Sequence, residues 1–229
     1  MHEASQLREQ GSGVPTLRRL ILLECLFTLV GGYSDAYAFL MHHHVFANAQ
    51  TGNVVFFATF AAQGMWSDAV RHVPPILACI CGVVAGKLLK ERSGKGIGET
   101  RFTLGLDIAV FMLLCFFDSQ LPGHMVVAAL AFVAALQITS FDVAGGWKFN
   151  SAMTTGNLKS ATESLVLLWK GEARHENRGK ALVAATACVA FLFGALGGGL
   201  YTLHHARLAL APCVLILLGR VAPHARVGR

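Results

Sequence analysis

Charge in this chain is confined to short strips, and the runs between the strips are too long and too apolar for an ordinary soluble core. The runs cover roughly residues 20–41, 73–89, 102–117, 124–141, 181–203 and 206–221. A helix of about twenty apolar residues crosses the hydrocarbon layer of a bilayer. Hydrophobic residues make up 54% of the 229-residue chain and charged ones 14%, against about 25% charged in soluble domains. These features predict an all-α integral membrane protein. The net charge of +6 does not redirect this reading to nucleic acid. The basic residues flank the apolar runs in small clusters, with no basic face interleaved with aromatics. Six cysteines (Cys25, Cys79, Cys81, Cys115, Cys188 and Cys213) all lie inside apolar runs without a C-x-x-C pair, which fits small, reduced packing residues. Arg18-Arg19, an apolar run and Ala36-Tyr37-Ala38 imitate a cleavable leader, but Asp35 beside the cleavage box argues for an uncleaved first span.

One tripeptide occurs twice, as Thr51-Gly52-Asn53 and Thr155-Gly156-Asn157. Each copy follows a stretch without helical periodicity (42–50 and 142–154) and opens a short helical piece. The first piece ends near residue 63, so as a helix it reaches only about 16 Å, half a bilayer core. The duplication continues downstream. Ala78, Gly82 and Gly86 follow the first copy at four-residue spacing, and Ala190, Gly194 and Gly198 follow the second. Small residues four apart share one helix face and let backbones approach closely in lipid. The expected organisation is a polar tail over 1–19 and one membrane domain over 20–222. That domain has halves of about 20–118 and 121–222, and a tail over 223–229 follows it.

Basic residues decide the threading. With eight spans, the loop holding Lys87, Lys90, Arg92, Lys95 and Arg101 becomes external. With six spans and both termini cytoplasmic, only Arg71 and Arg207 of the 19 lysines and arginines fall outside, as the positive-inside rule requires. Six spans give three per half, an odd number, so the halves take opposite orientations. The two Thr-Gly-Asn helices then become re-entrant half-helices entering from opposite faces, an inverted repeat of a kind that recurs in transporters. Irregular backbone at that depth survives only when buried in protein or lining a wet cavity.

Chemistry-bearing candidates follow from that geometry. Thr and Asn can cap a helix start and Gly allows unusual dihedrals, so Thr51, Gly52, Asn53, Thr155, Gly156 and Asn157 are ligand or pore candidates. Two buried helix starts suit an anion or a dipolar solute; equally, they could only cap buried half-helices. Asp35, an ionisable group within a span, is a further candidate. Gln137 is expected to hydrogen-bond between helices. Gly82, Gly86, Gly194 and Gly198 are packing residues. Glu24 and Asp107 are expected to reach solvent at the inner end, and Lys159 to pair with Glu163. Seven histidines (His42, His43, His44, His72, His124, His204 and His205) fall on the expected outer face and read as polar helix ends. No metal or cofactor is expected, and no enzyme. Asp35 with Asp142 is the one tempting dyad, that of an intramembrane aspartyl hydrolase, but its Gly-x-Gly-Asp signature is absent.

At these residues the chain resembles the YoaK-like family of bacterial multi-pass membrane proteins, which carry a domain of unknown function. The resemblance rests on Gly31-Gly32-Tyr33-Ser34-Asp35-Ala36 and Gln50-Thr51-Gly52-Asn53 in the first half. In the second half it rests on Gln137, Ser140-Phe141, Gly146-Trp147 and Thr154-Thr155-Gly156-Asn157-Leu158. Asp142 departs from the similar sequences, where a basic residue is common. The resemblance implies a bacterial inner (plasma) membrane protein and brings no activity with it. The expected function is a transporter or channel for a small polar or anionic solute, with a non-transporting scaffold or sensor as the alternative. The expected partner is the lipid bilayer, and a homo-oligomer is compatible with the sequence.

Overall fold

The protein is described by a computed structural model over residues 17–93, 97–140, 143–144, 147–148 and 154–225. Its helices are α1 (Leu17–Met41), α2 (Gln50–Ala62), α3 (Trp66–Val70), α4 (Val73–Ser93), α5 (Ile97–Phe117), α6 (Gly123–Ser140), α7 (Thr154–Trp169), α8 (Arg174–His204) and α9 (Ala211–Ala225). Two-residue strands, β1 (Val143–Ala144) and β2 (Trp147–Lys148), pair antiparallel between α6 and α7. Asp142 lies outside the described residues.

Among the described residues, four stretches are long and apolar enough to cross a membrane: Trp66–Arg92, Arg101–Gln120, Gly123–Ser140 and Glu176–His204. Cys25–Met41 and Ala206–Gly219 are shorter apolar helices. Leu77, Ile80, Val83, Val84 and Leu88 of α4, like Leu192, Phe193, Leu196 and Leu200 of α8, are exposed. Apolar side chains on the outside as well as the inside are what a bilayer solvent requires.

Side-chain contacts fix the direction of each helix. His42, just past α1, lies 3.1 Å from Asp118, just past α5. A methyl placed on Gly123, at the start of α6, would meet the His42 ring at 2.9 Å. The ends of α1 and α5 and the beginning of α6 therefore share one face. On the other face, Lys90 of α4 donates to the Thr139 carbonyl at 3.2 Å, and Thr103 of α5 donates to Ser140 at 3.1 Å. So α1 and α5 run one way, α4 and α6 the other.

The principal core lies between α1, α5, α6 and α9, built from Phe27, Val30, Tyr37, Phe111, Leu130 and Leu217 among others. Around it the most extensive packing is α1 on α8 and α4 on α6. Both pairs are parallel and both run along glycines. On α8, Gly194 faces Leu29, whose carbonyl carbon is 2.8 Å from where a Cβ would be, and Gly198 faces Tyr33 at 2.7 Å. On α4, Gly82 faces Ala135 at 2.8 Å and Gly86 faces Thr139 at 2.8 Å. No side chain fits at such separations, which is the physical use of the small-residue stripes.

Three sequence expectations need amendment. Helix α8 begins at Arg174 and has 31 residues, about 46 Å, so its charged start extends the span as helix instead of forming a loop. A helical turn, α3, fills the stretch before α4. Asp107 is not at a wet helix end but is 1% exposed. It lies on the same face of α5 as Thr103, Leu104, Phe111 and Leu114, all buried, at the three- and four-residue spacing that points side chains inward.

Candidate functional site

The centre of interest is the stretch between α1 and α2. After Met41 the chain turns through His43 and His44, both with positive φ (56° and 61°), and folds back along α1. Asn48 donates its side-chain amide to the Gly31 carbonyl at 3.0 Å and to Ser34 Oγ at 3.1 Å. The Asn48 backbone amide meets Asp35, six residues before the end of α1, so the returning chain reaches about 9 Å back along the helix.

There Asp35, 5% exposed, receives the loop. Its Oδ1 accepts from the Asn48 backbone amide at 2.6 Å and from the Asn48 side chain at 3.4 Å. The amides of Ala47 and Ala49 also face this carboxylate. Burying a carboxylate is expensive unless donors replace its water, and here the residues just before α2, Ala47, Asn48 and Ala49, supply them. The N-cap of α2 is Ala49, with no side-chain cap. Asp35, from a different helix, is the negative group at this N-terminus.

The first tripeptide falls within the opening turn of α2 and divides its work. Thr51 is exposed. Gly52 leaves room for the Phe46 ring, which a methyl there would meet at 2.8 Å. Asn53 is fully buried and clamps the lead-in to the helix. Its Oδ1 accepts from Phe46 N at 3.0 Å, and its Nδ2 donates to the Phe46 carbonyl at 2.8 Å and to Gln50 Oε1 at 3.0 Å. His72 Nδ1 lies 3.3 Å from Asn53 Oδ1, and its ring stacks on Phe56 and Phe60 at 5.3 and 5.8 Å between centroids. In the second copy Thr155 and Gly156 are exposed and Asn157 is buried. Thr154, which opens that helix, accepts from Cys188 of α8 at 3.7 Å. The main packing of α2 is on α3 and α4, and that of α7 on α8.

Gln137 of α6 stands across from Asn48. It is 7% exposed, and it makes no hydrogen bond among the described residues, contrary to the interhelical bond expected of it. It lines a cavity of about 10 Å³ together with Gly31, Ser34, Asn48, Phe111 and Val133, room for about one water molecule. Asn48 thus connects two residues singled out from sequence: it donates to Asp35, and it lines the same small cavity as Gln137. The carboxyl of Asp35 is held by the loop, and the Gln137 amide is left with donor and acceptor capacity to spare.

Two histidines expected at wet helix ends are buried. His42 is 7% exposed and His72 is 1% exposed. His42 joins Tyr37, 3.3 Å away, to Asp118, which closes the α1–α5–α6 corner. His43, His44, His124, His204 and His205 are exposed. Asn48, Asp118 and the burial of His72 were not singled out from sequence. The signal for Asn48 was available: it is polar and follows Val45-Phe46-Ala47, in a segment that must be buried if it re-enters.

Comparison with known proteins places this geometry in a family. Residues 23–222 match the family described as a protein of unknown function, DUF1275. The chain is 24% identical over 145 residues to the UPF0700 transmembrane protein YoaK of Bacillus subtilis (strain 168), covering 61% of this chain and 64% of that protein. No solved structure matches. With nearly all of its apolar helices inside the matched region, the chain belongs to the DUF1275 family, a YoaK-like family of membrane proteins whose function is unknown.

Proposed function

We propose that the protein moves or binds a small polar solute at the Asp35–Asn48–Gln137 site, within a six-span helical membrane domain that contains two re-entrant half-helices. The observation that carries this reading is the return of residues 42–48 along α1, which puts a backbone-donor cluster and a buried carboxylate about 9 Å inside the helix end. A closed packing device would leave no spare hydrogen-bonding group there, yet Gln137 has one.

The inverted repeat is supported by the packing partners. Exchanging the halves turns α1 on α8 into α6 on α4, α2 on α4 into α7 on α8, and α5 on α6 into α9 on α1; every one of these packings is present. The 17 to 2 division of basic residues supports cytoplasmic termini in a bacterial inner membrane. A scaffold without transport is the second reading. It is favoured by the water-sized cavity and by the complete satisfaction of Asn53.

Proteoliposomes loaded with a panel of polar metabolites and ions separate the two readings. Transport predicts solute flux that Asn48→Leu abolishes without loss of folded protein. Absence of flux across the whole panel favours the scaffold.

A further inference from the structure

Beside the returning loop, some hydrogen-bonding groups have partners and others are left over. Asn48 directs its side-chain NH2 at the Gly31 carbonyl, 3.0 Å away, and at Ser34 Oγ, 3.1 Å away, with a longer contact of 3.4 Å to Asp35. Its Oδ1 accepts no hydrogen bond among the described residues. Ser34 Oγ donates to the same Gly31 carbonyl at 3.0 Å. That carbonyl therefore has both lone pairs engaged, while the Ser34 hydroxyl keeps one free. From α6, Gln137 is 7% exposed and makes no hydrogen bond among the described residues. Asn48, Ser34 and Gln137 line one cavity of about 10 Å³, and Phe27, Phe111 and Leu130 are among its other walls. A volume of that size admits about one water and no metabolite.

We propose that this cavity is the binding site of a single resident water that bridges Gln137 of α6 to Asn48 of the returning loop and Ser34 of α1. The water accepts from the Gln137 amide and donates to Asn48 Oδ1 and to the remaining lone pair of Ser34 Oγ. Three bonds are the usual complement of a buried water. Cavities that stay dry are apolar on every side, whereas this one has a polar group from each of three segments. The bridge also supplies the partner that a buried amide requires, at little enthalpic disadvantage to a direct bond.

The bridge ties together elements that touch little. Helix α6 packs chiefly on α4 and α5 and only lightly on α1. Through the water, Gln137 holds the Asn48 carboxamide from the side opposite α1, and Asn48 is the residue whose backbone amide meets Asp35 at 2.6 Å. Gln137 is thus a positioning residue for the loop, acting through solvent. The inference goes beyond the solute reading and holds with or without flux. A solute reaching this centre would meet the resident water first.

The test is water–amide NMR on the full-length protein in detergent micelles, with ¹⁵N in its glutamine and asparagine side chains. A water held in place gives a rotating-frame cross-peak of dipolar sign to a neighbouring amide proton, opposite in sign to a peak from hydrogen exchange. Wild type is expected to show that peak at the Gln137 side-chain amide. Asn53 is the internal control, because it is fully buried and its Nδ2 donates to Phe46 and Gln50; it should show none. Ser34→Ala leaves the water two partners and should keep the peak. Ala134→Leu fills the cavity from α6 with carbon and should remove it. If Ala134→Leu does not fold, wild type and Ser34→Ala still decide. Absence of a dipolar peak at Gln137 in wild type overturns the inference, as does an equal peak at Asn53. So does a peak lost in Ser34→Ala, which would have been relayed by the serine hydroxyl, or one that persists in folded Ala134→Leu. Solute flux is measured separately in proteoliposomes, so the water and the solute reading can fail independently.

Discussion

Replacing Gly194 by Ala tests the close approach of α1 and α8 with a control built into the same helix. A Cβ at Gly194 would lie 2.8 Å from the Leu29 carbonyl carbon and 2.9 Å from its Cα, whereas Gly197 has nothing within 4 Å. Ordinary carbon contacts are about 3.5–4.0 Å, so the two backbones must separate by about 1 Å along a tightly packed stretch. Both positions are inside α8, so each substitution gains about 1 kcal/mol of intrinsic helix preference. At Gly197 that gain is unopposed. At Gly194 overpacking costs about 1–3 kcal/mol, and the contacts of Gly198 with Tyr33 one turn on are disturbed too. The Gly194→Ala protein should therefore be less stable than Gly197→Ala by about 2–3 kcal/mol, read as thermal or denaturant unfolding in detergent micelles. Equal stabilities would refute the parallel α1–α8 contact and the use assigned to the glycine stripes.

Asn53→Ala strips partners from both the amide and the carbonyl of Phe46. At about 1–3 kcal/mol per buried orphan, it should destabilise the protein by about 2–4 kcal/mol, while Thr51→Ala, at an exposed position, should stay within about 0.5 kcal/mol. Asp118→Ala leaves buried His42 without the carboxylate 3.1 Å from its Nε2 and should cost about 1–3 kcal/mol; a double-mutant cycle with His42→Ala should show coupling. Lys159→Ala removes an exposed 3.7 Å pair with Glu163 and should change the unfolding midpoint hardly at all.

Much of the architecture was legible in the sequence because a bilayer leaves few options. Apolar runs give helices, and glycines at four-residue spacing give close packing. The site was legible only in part. Asp35 and Gln137 stood out as polar groups in apolar runs, but their shared neighbour Asn48 depends on how the loop folds back, a tertiary fact without periodicity. For the same reason a string repeat could not reveal that Asn53 serves the loop, that Thr51 faces outward, or that Asp35 fills the helix start. His72 looked like a wet helix end until the α2–α3 turn brought it under Phe56 and Phe60.

The central claim is that the two Thr-Gly-Asn helices enter the membrane from opposite faces. It is tested most directly by single cysteines in a cysteine-free background, at Met65 after the first half-helix and Glu172 after the second, both exposed. Glu172 is preferred to its neighbour Gly171, whose φ of 81° a side chain would strain. In intact cells an impermeant maleimide should label Met65→Cys and spare Glu172→Cys, and in inside-out vesicles the pattern should reverse. Labelling of both positions from the same side would contradict the inverted arrangement.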